Sequence, residues 1–336
     1  MNRNFGKLDE NNKIGYAPNN VRIGGTIYAA PTAACLFLDI HHTVFDGFSV
    51  GIFLSELMRV LDGQDPVGET MTSFDAALEE RDYLESETLE EDDRWFARYL
   101  EGAESTLFST SSDGADGKPG ELGRVKALAP SAAISARARE LGVTASDYFL
   151  TVFTELLKRV GRSEDVLINF VTAGRGNPET AETVGMFVRT LPLKGIKGAS
   201  TFTEAARRMH ESVSELIDRE RHSFVRLSER LGLRPDILFA FEGGIFDLPR
   251  GAELISPSNG TAKTPLSVVV TPGRDDFELA MEYDRSLYSE RDIAALAGMF
   301  RVLSENAAKG DDLKALKLVS PADEAKLLEL SAGETI

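Results

Sequence analysis

Residues 110–123 read TSSDGADGKPGELG, a run with four glycines, one proline and four charged side chains. Glycine and proline at that density break helical and strand periodicity alike, and a backbone almost without apolar side chains has nothing to bury. The segment predicts a linker or long exposed loop, so the chain folds as one part before residue 110 and another after residue 123. A length of 336 residues agrees, because ordinary domains run to about 150 residues.

Before the linker, 21–28 and 34–40 read as strands. Residues 49–61 read as a helix with Val50, Phe53, Leu54, Leu57, Met58 and Leu61 at helical spacing, closed by Gly63. A second helix covers about 86–100; it is acidic at its start and carries Trp95, the only tryptophan, and Phe96 as packing residues. After the linker, Thr144 or Ser146 caps a helix that Gly161 stops, and a buried strand follows at 166–171. The loop AGRGNPET leads to VGMFVRTLPL and then to a helix over 203–217. Strands at 237–241 and 266–271 precede the turn Pro272-Gly273-Arg274-Asp275 and the alternating run 277–283, which predicts a hairpin. Ser289 with Asp292 resembles a capping box, opening a last long helix through Ile293, Leu296, Phe300 and Leu303. Strands and helices mix without a steady βαβ rhythm, so the fold class is α/β, an α+β sandwich with mixed sheets.

Charge and composition exclude several functions. Fifty-four acids against 37 bases give a net charge of -17, which opposes a nucleic-acid backbone, and no basic patch offsets it. No run approaches the ~20 apolar residues of a membrane span, and the opening MNRNFGKLDENNK has no secretion-signal core, so the expectation is a cytoplasmic protein without membrane or nucleic-acid partners. The single cysteine, Cys35, sits in an apolar run and reads as a buried small hydrophobe.

The chemistry concentrates in LFLDIHHTVFDGFSVGIFLSEL, where a strongly apolar strand delivers His41 and His42 to a turn ending in Asp46 and Gly47 at the mouth of a helix. Side chains alternate along a strand, so one histidine faces a given cavity and the other the opposite packing layer. An imidazole with an ordinary pKa near 6.5 can take a proton from an attacking amine or hydroxyl and return it to a leaving group. Gly47 admits close backbone approach where helix amides face a developing oxyanion. This pattern fits acyl transfer. Satisfied core histidines are the competing reading; a metal held by His41, His42 and Asp46 lacks a fourth ligand. His210 and His222 read as surface or boundary packing.

The whole string, His-His-x-x-x-Asp-Gly between an apolar strand and an apolar helix, resembles the HHxxxDG active-site signature of the nonribosomal peptide synthetase condensation domain and its chloramphenicol acetyltransferase-like relatives. VGMFVRTLPL (184–193), arriving after TAGRGNPET, looks like a second-lobe segment of that family. RHSFVRLSERLGL, ILFAFEG and LAMEYDRSLYSERDIAALAGMFRVLSENA are similar to its following helix, next strand and closing strand and helix. LKLVSPADEAKLLEL resembles the connector towards an adenylation domain. The resemblance covers nearly all of the chain and roughly the last three quarters of the family unit. It implies two chloramphenicol acetyltransferase-like lobes with the first incomplete: a partial N-terminal lobe over 1–109, the linker 110–123, a C-terminal lobe over 124–320 and a connector over 321–336.

By the same resemblance, the chain is an acyltransferase that forms an amide bond between a carrier-bound acyl or peptidyl thioester and a carrier-bound aminoacyl group. No cofactor is covalently bound; substrates arrive on phosphopantetheine arms of donor and acceptor peptidyl carrier domains, beside an adjacent adenylation domain. His42 acts on the amine, His41 packs away, and Asp46 holds the turn by an ion pair. Arg189 stands where the family usually has asparagine and Arg219 where it usually has histidine; both departures bear on acceptor handling, and Arg189 is the candidate substrate-binding residue. The family's partner for Asp46 is taken to come from an early region without counterpart here, so Asp46 is expected to lack its usual arginine; of Arg3 and Arg22, Arg22 is the first substitute, and the 336-residue chain is expected to have weak or no condensation activity. Two alternatives stand: a free-standing CoA-dependent acyltransferase, and an inactive docking scaffold.

Overall fold

The computed structural model describes residues 23–30, 33–106, 117–234, 236–242, 255, 258 and 260–332. Arg3, Arg22 and residues 110–116 of the expected linker lie outside them. Packing divides the chain into two units: Met1–Asp82 with Arg175–Val188 and Ile245–Arg250, and Tyr83–Gly174 with Arg189–Gly244 and Gly251–Ile336.

In the smaller unit, β1 (Ile23–Ala30) pairs antiparallel with β2 (Ala33–Ile40), Ile23 opposite Ile40 and Ala30 opposite Ala33. A 3-10 turn, His42–Val44, leads to α1 (Gly47–Leu61), and α2 (Ser73–Leu84) follows. α1 begins two residues before the sequence expectation because Asp46, not a later serine, caps it by accepting from Ser49 N. Apolar β-branched and aromatic residues make β1 and β2 good strand formers, yet Ile27 and Phe37 remain about half exposed and Cys35 is half-buried rather than buried. α1 buries only Ser49 completely. Among the described residues the buried centre of this unit is a polar one, Asp46, Ser49, Thr180 and Thr183, closed by Met71 and Phe187.

The larger unit is built on a six-stranded mixed sheet in the order β3-β8-β7-β6-β4-β5, with β3 (Leu122–Pro130), β4 (Leu167–Thr172), β5 (Arg189–Lys194), β6 (Ile237–Phe241), β7 (Leu266–Pro272) and β8 (Asp276–Asp284). β6 is parallel to both neighbours, β4 and β7, and the other pairs are antiparallel. The helices are α3 (Glu87–Tyr99), α4 (Ser131–Leu141), α5 (Ala145–Gly161), α6 (Phe202–Ile217), α7 (Phe224–Leu231), α8 (Glu290–Ala307) and α9 (Pro321–Ala332). α5 is the central element, buried on every side from Asp147 to Lys158. Thr144 and Asp147 close a capping box at its start. Its rings Phe149 and Phe153 meet Phe277 of β8, Phe239 of β6 and Phe300 of α8, which makes α5 the pin between sheet and outer helix.

Two boundaries differ from the sequence expectation. α3, expected before the linker in the first lobe, packs with the larger unit because Phe96 and Leu100 enter its core, and Asp93 is gripped by His222 Nε2, Arg226 and Arg230. Residues 122 and 123, the end of the expected linker, already belong to β3. Gly123 is required there: a Cβ would fall 2.2 Å from the Tyr283 ring opposite it. His222, expected at the surface or a boundary, is fully buried against Phe96. Arg219 lies over the Trp95 ring at 4.4 Å.

Candidate active site

β2 ends at Ile40, so His41 and His42 are not successive residues of a strand, and strand alternation does not separate them. The turn does. His41 is the extended residue that caps the 3-10 turn: its Nδ1 accepts from Thr43 N at 3.2 Å and lies 2.8 Å from Thr43 Oγ1. His42 is the first residue inside the turn, and its Nδ1 sits 2.8 Å from the Phe45 carbonyl oxygen. A carbonyl only accepts, so His42 Nδ1 carries the proton and the neutral ring's Nε2 is left with its lone pair. Both rings are exposed. One imidazole is spent on the local backbone; the other is oriented by it and keeps a basic nitrogen open.

The turn is anchored by Asp46, whose side chain is wholly buried. Its Oδ1 accepts from Ser49 N and lies within 2.8 Å of Ser49 Oγ, its Oδ2 accepts from Phe187 N at 3.0 Å, and Arg175 Nη2 reaches both oxygens at 3.1 and 3.2 Å. The expected shortage of a partner for Asp46 is therefore corrected: Arg175, in the AGRGNPET loop, supplies the ion pair. Arg175 is itself buried, donates to the Thr180 and Thr183 carbonyls, and is flanked by the Phe48 and Phe187 rings at 4.6 and 4.4 Å. Burial, the largest single influence on Asp46, favours the neutral acid; the Phe187 and Ser49 amides, the Ser49 hydroxyl and Arg175 together outweigh it and hold the carboxyl below its ordinary range.

Ser49 stitches the loop to the segment after Arg175. Its Oγ accepts from Gly185 N at 3.0 Å and lies 2.9 Å from Gly185 O, while Asp46 N donates to that same carbonyl at 3.1 Å. Gly185 has no room for a side chain, since a Cβ would stand 2.5 Å from the Phe187 ring. VGMFVRTLPL is thus divided: Val184 to Val188 belong with the smaller unit and buttress the histidine turn, and Arg189 opens β5 of the larger unit.

Of the residues singled out from sequence, His41, His42, Asp46 and Gly47 come together in one turn. Gly47 is the first helical residue of α1, with open space where a Cβ would stand. Arg175, Ser49 and Gly185 join the site without having been marked by the sequence motif. A signal for Arg175 exists, because an aspartate set in an apolar turn requires a cation, and the glycine-flanked arginine of AGRG lies downstream of the motif rather than before it. Asp46 has its lone pairs committed to protein donors, so it does not join the histidines as a metal ligand; among the described residues no three His, Cys, Asp or Glu side chains converge as a metal site. No helix among the described residues is long and apolar enough to cross a membrane.

Known proteins resemble this chain in sequence and in fold. Bacitracin synthase 1 of Bacillus licheniformis is 24% identical over 298 residues, 83% of this chain and 6% of that protein. Surfactin synthase subunit 1 of Bacillus subtilis (strain 168) is 22% identical over 340 residues, 93% of this chain and 9% of that one. The chain therefore spans less than a tenth of the length of these relatives. Among solved structures, the first condensation domain of the calcium-dependent antibiotic synthetase, in complex with a substrate analogue, superposes with a TM-score of 0.72 at 19% identity, covering 88% of this chain and 70% of that one. The X-domain in its complex with OxyB from teicoplanin biosynthesis gives 0.70 at 18% identity, covering 88% and 72%. The sequence model of the condensation domain matches residues 25–328, a span that holds the histidine turn, its Arg175 anchor and the six-stranded sheet, and the chain belongs to the condensation domain family.

Proposed function

We propose that this chain is the condensation unit of a nonribosomal peptide synthetase and joins an acyl or peptidyl thioester to the amine of an aminoacyl thioester, both carried on phosphopantetheine arms of peptidyl carrier domains. The observation that carries the reading is His42: its ring is oriented by the Phe45 carbonyl and leaves Nε2 open, on a turn clamped by the buried Asp46–Arg175 pair. The amine nitrogen attacks the thioester carbon, a C–N bond forms and the C–S bond breaks. The amine gives up one proton, which His42 Nε2 accepts and passes to the leaving sulfur. An α-amino group has an ordinary pKa near 8, so part of it is neutral before it arrives, and the share of the rate owed to His42 is hydrogen bonding and proton removal as the tetrahedral intermediate forms. His41 and Asp46 act through the turn. Arg189 handles the acceptor, as its place in the VGMFVRTLPL segment suggests. An adjacent adenylation domain supplies the acceptor amino acid, and the setting is cytoplasmic.

Mass spectrometry of product formation from two loaded carriers, run beside the same acyl groups on free CoA with amine and hydroxyl acceptors, tests this. Amide product from the carrier pair supports the reading. Turnover only from CoA thioesters with hydroxyl acceptors, or no turnover by the folded chain, contradicts it.

A further inference from the structure

The larger unit carries an open pocket of about 270 Å³ where the carboxyl ends of two parallel strands meet a helix start. Phe170 near the end of β4 and Phe241 at the end of β6 form its floor, and α6 turns His210, Val213 and Ile217 towards it at i, i+3 and i+7. Crevices at the carboxyl ends of parallel strands are the usual ligand positions of open α/β sheets. Beside His210, the start of α5 carries Asp147, almost wholly buried, whose Oδ2 accepts from Thr144 N at 3.0 Å and from Thr144 Oγ1 at 2.7 Å and lies 2.8 Å from His210 Nδ1.

A carboxylate only accepts, so His210 Nδ1 carries the proton and Nε2 of the neutral ring is an acceptor. His210 is partly open to solvent and Ile217 is 40% exposed, an apolar side chain left uncovered at the rim. Among the described residues no lysine or arginine lines the cavity, and Asp147 with the net charge of -17 disfavours an anion. We propose that this cavity binds a neutral molecule with a phenyl-sized apolar body and a hydroxyl group that donates to His210 Nε2. The aromatic floor and the Val213 and Ile217 wall take the body; the Asp147–His210 pair fixes its polar end. Asp147 completes the capping box with Thr144, and the imidazole held on it keeps Nε2 for a ligand.

The test is an NMR titration of the full chain with benzyl alcohol and with benzyl methyl ether, which has the same ring and no donor, following the backbone amides of the cavity residues. The alcohol should bind saturably and about 3- to 10-fold tighter than the ether, the worth of one net hydrogen bond. In His210→Lys the ammonium keeps a donor for Asp147 and offers no acceptor, so the preference for alcohol should collapse to near unity. In Ile217→Asn both probes should weaken by about 3-fold or more with their ratio kept, and this rim position is open enough for the fold to persist. No saturable binding at these amides, an ether as tight as the alcohol, or a ratio unmoved in His210→Lys would overturn the proposal.

Discussion

Removing Arg175 exposes how the histidine turn is held. In Arg175→Met the Asp46 carboxylate keeps the Ser49 and Phe187 amides and the Ser49 hydroxyl but loses its paired cation, in a position where its side chain has no contact with water. Breaking a buried pair from one side costs about 3–5 kcal/mol. The two carbonyls of Thr180 and Thr183 also lose a donor. At 1.4 kcal/mol per tenfold, the local opening constant should rise by about 10²- to 10³-fold or more. Hydrogen exchange at the amides of Asp46, Ser49, Gly185 and Phe187 reads this directly, because all four are bonded inside the network. Asp46→Asn removes the charge from the other side, and the double variant should cost less than the sum of the singles by about 0.5–3 kcal/mol. Exchange raised less than tenfold in Arg175→Met, or strict additivity in the double variant, would refute the account of the clamp.

Further outcomes follow from the same geometry. Asp46 has a folded pKa below its unfolded value, so its stabilisation is complete above the ordinary carboxylate range near pH 4 and is lost as pH falls through the folded value; exchange at Ser49 and Phe187 should be flat from pH 7 to 5, after correction for intrinsic rates, and accelerate below about pH 4. Gly185→Ala should loosen the turn without unfolding the larger unit, since its Cβ meets the Phe187 ring, and exchange confined to 42–50 and 184–188 checks this. Phe149→Ala, fully buried between α5, β8 and α8, should destabilise the larger unit by about 3–5 kcal/mol in urea denaturation. The smaller unit should open at lower denaturant than the larger one, because α1 and the β1–β2 hairpin leave most of their apolar residues partly exposed.

What is legible in the sequence follows from local physics. The helices around Trp95, Phe149, Met209 and Phe300 and the β7–β8 hairpin carry strong periodicity and a cap or turn residue at an end, and each is found within two or three residues of its expected place. α4 and α2 have apolar patterns too weak to mark a helix, and β3 is masked by the glycine-rich run that precedes it. The assignment of α3 to a lobe depends on which core its Phe96 enters, a tertiary fact with no local signal. The same holds at the site: the histidine turn is visible as a contiguous motif, while Arg175 and Gly185 lie 129 and 136 residues away from the groups they hold. His210 reads as a helix flank until Asp147, 63 residues earlier, is seen to orient it.

The central claim is that His42 Nε2 performs the chemistry while His41 serves the turn. The most direct measurement is the rate of amide formation from two loaded carriers by the chain, His41→Ala and His42→Ala, with folded fraction matched by circular dichroism. His42→Ala should lower the rate about 10²- to 10⁴-fold, the worth of a positioned acid–base group. His41→Ala removes a cap worth about 1 kcal/mol and should lower it by about tenfold or less. Equal losses in the two variants, or a His42→Ala rate within a few-fold of the parent, would contradict the assignment.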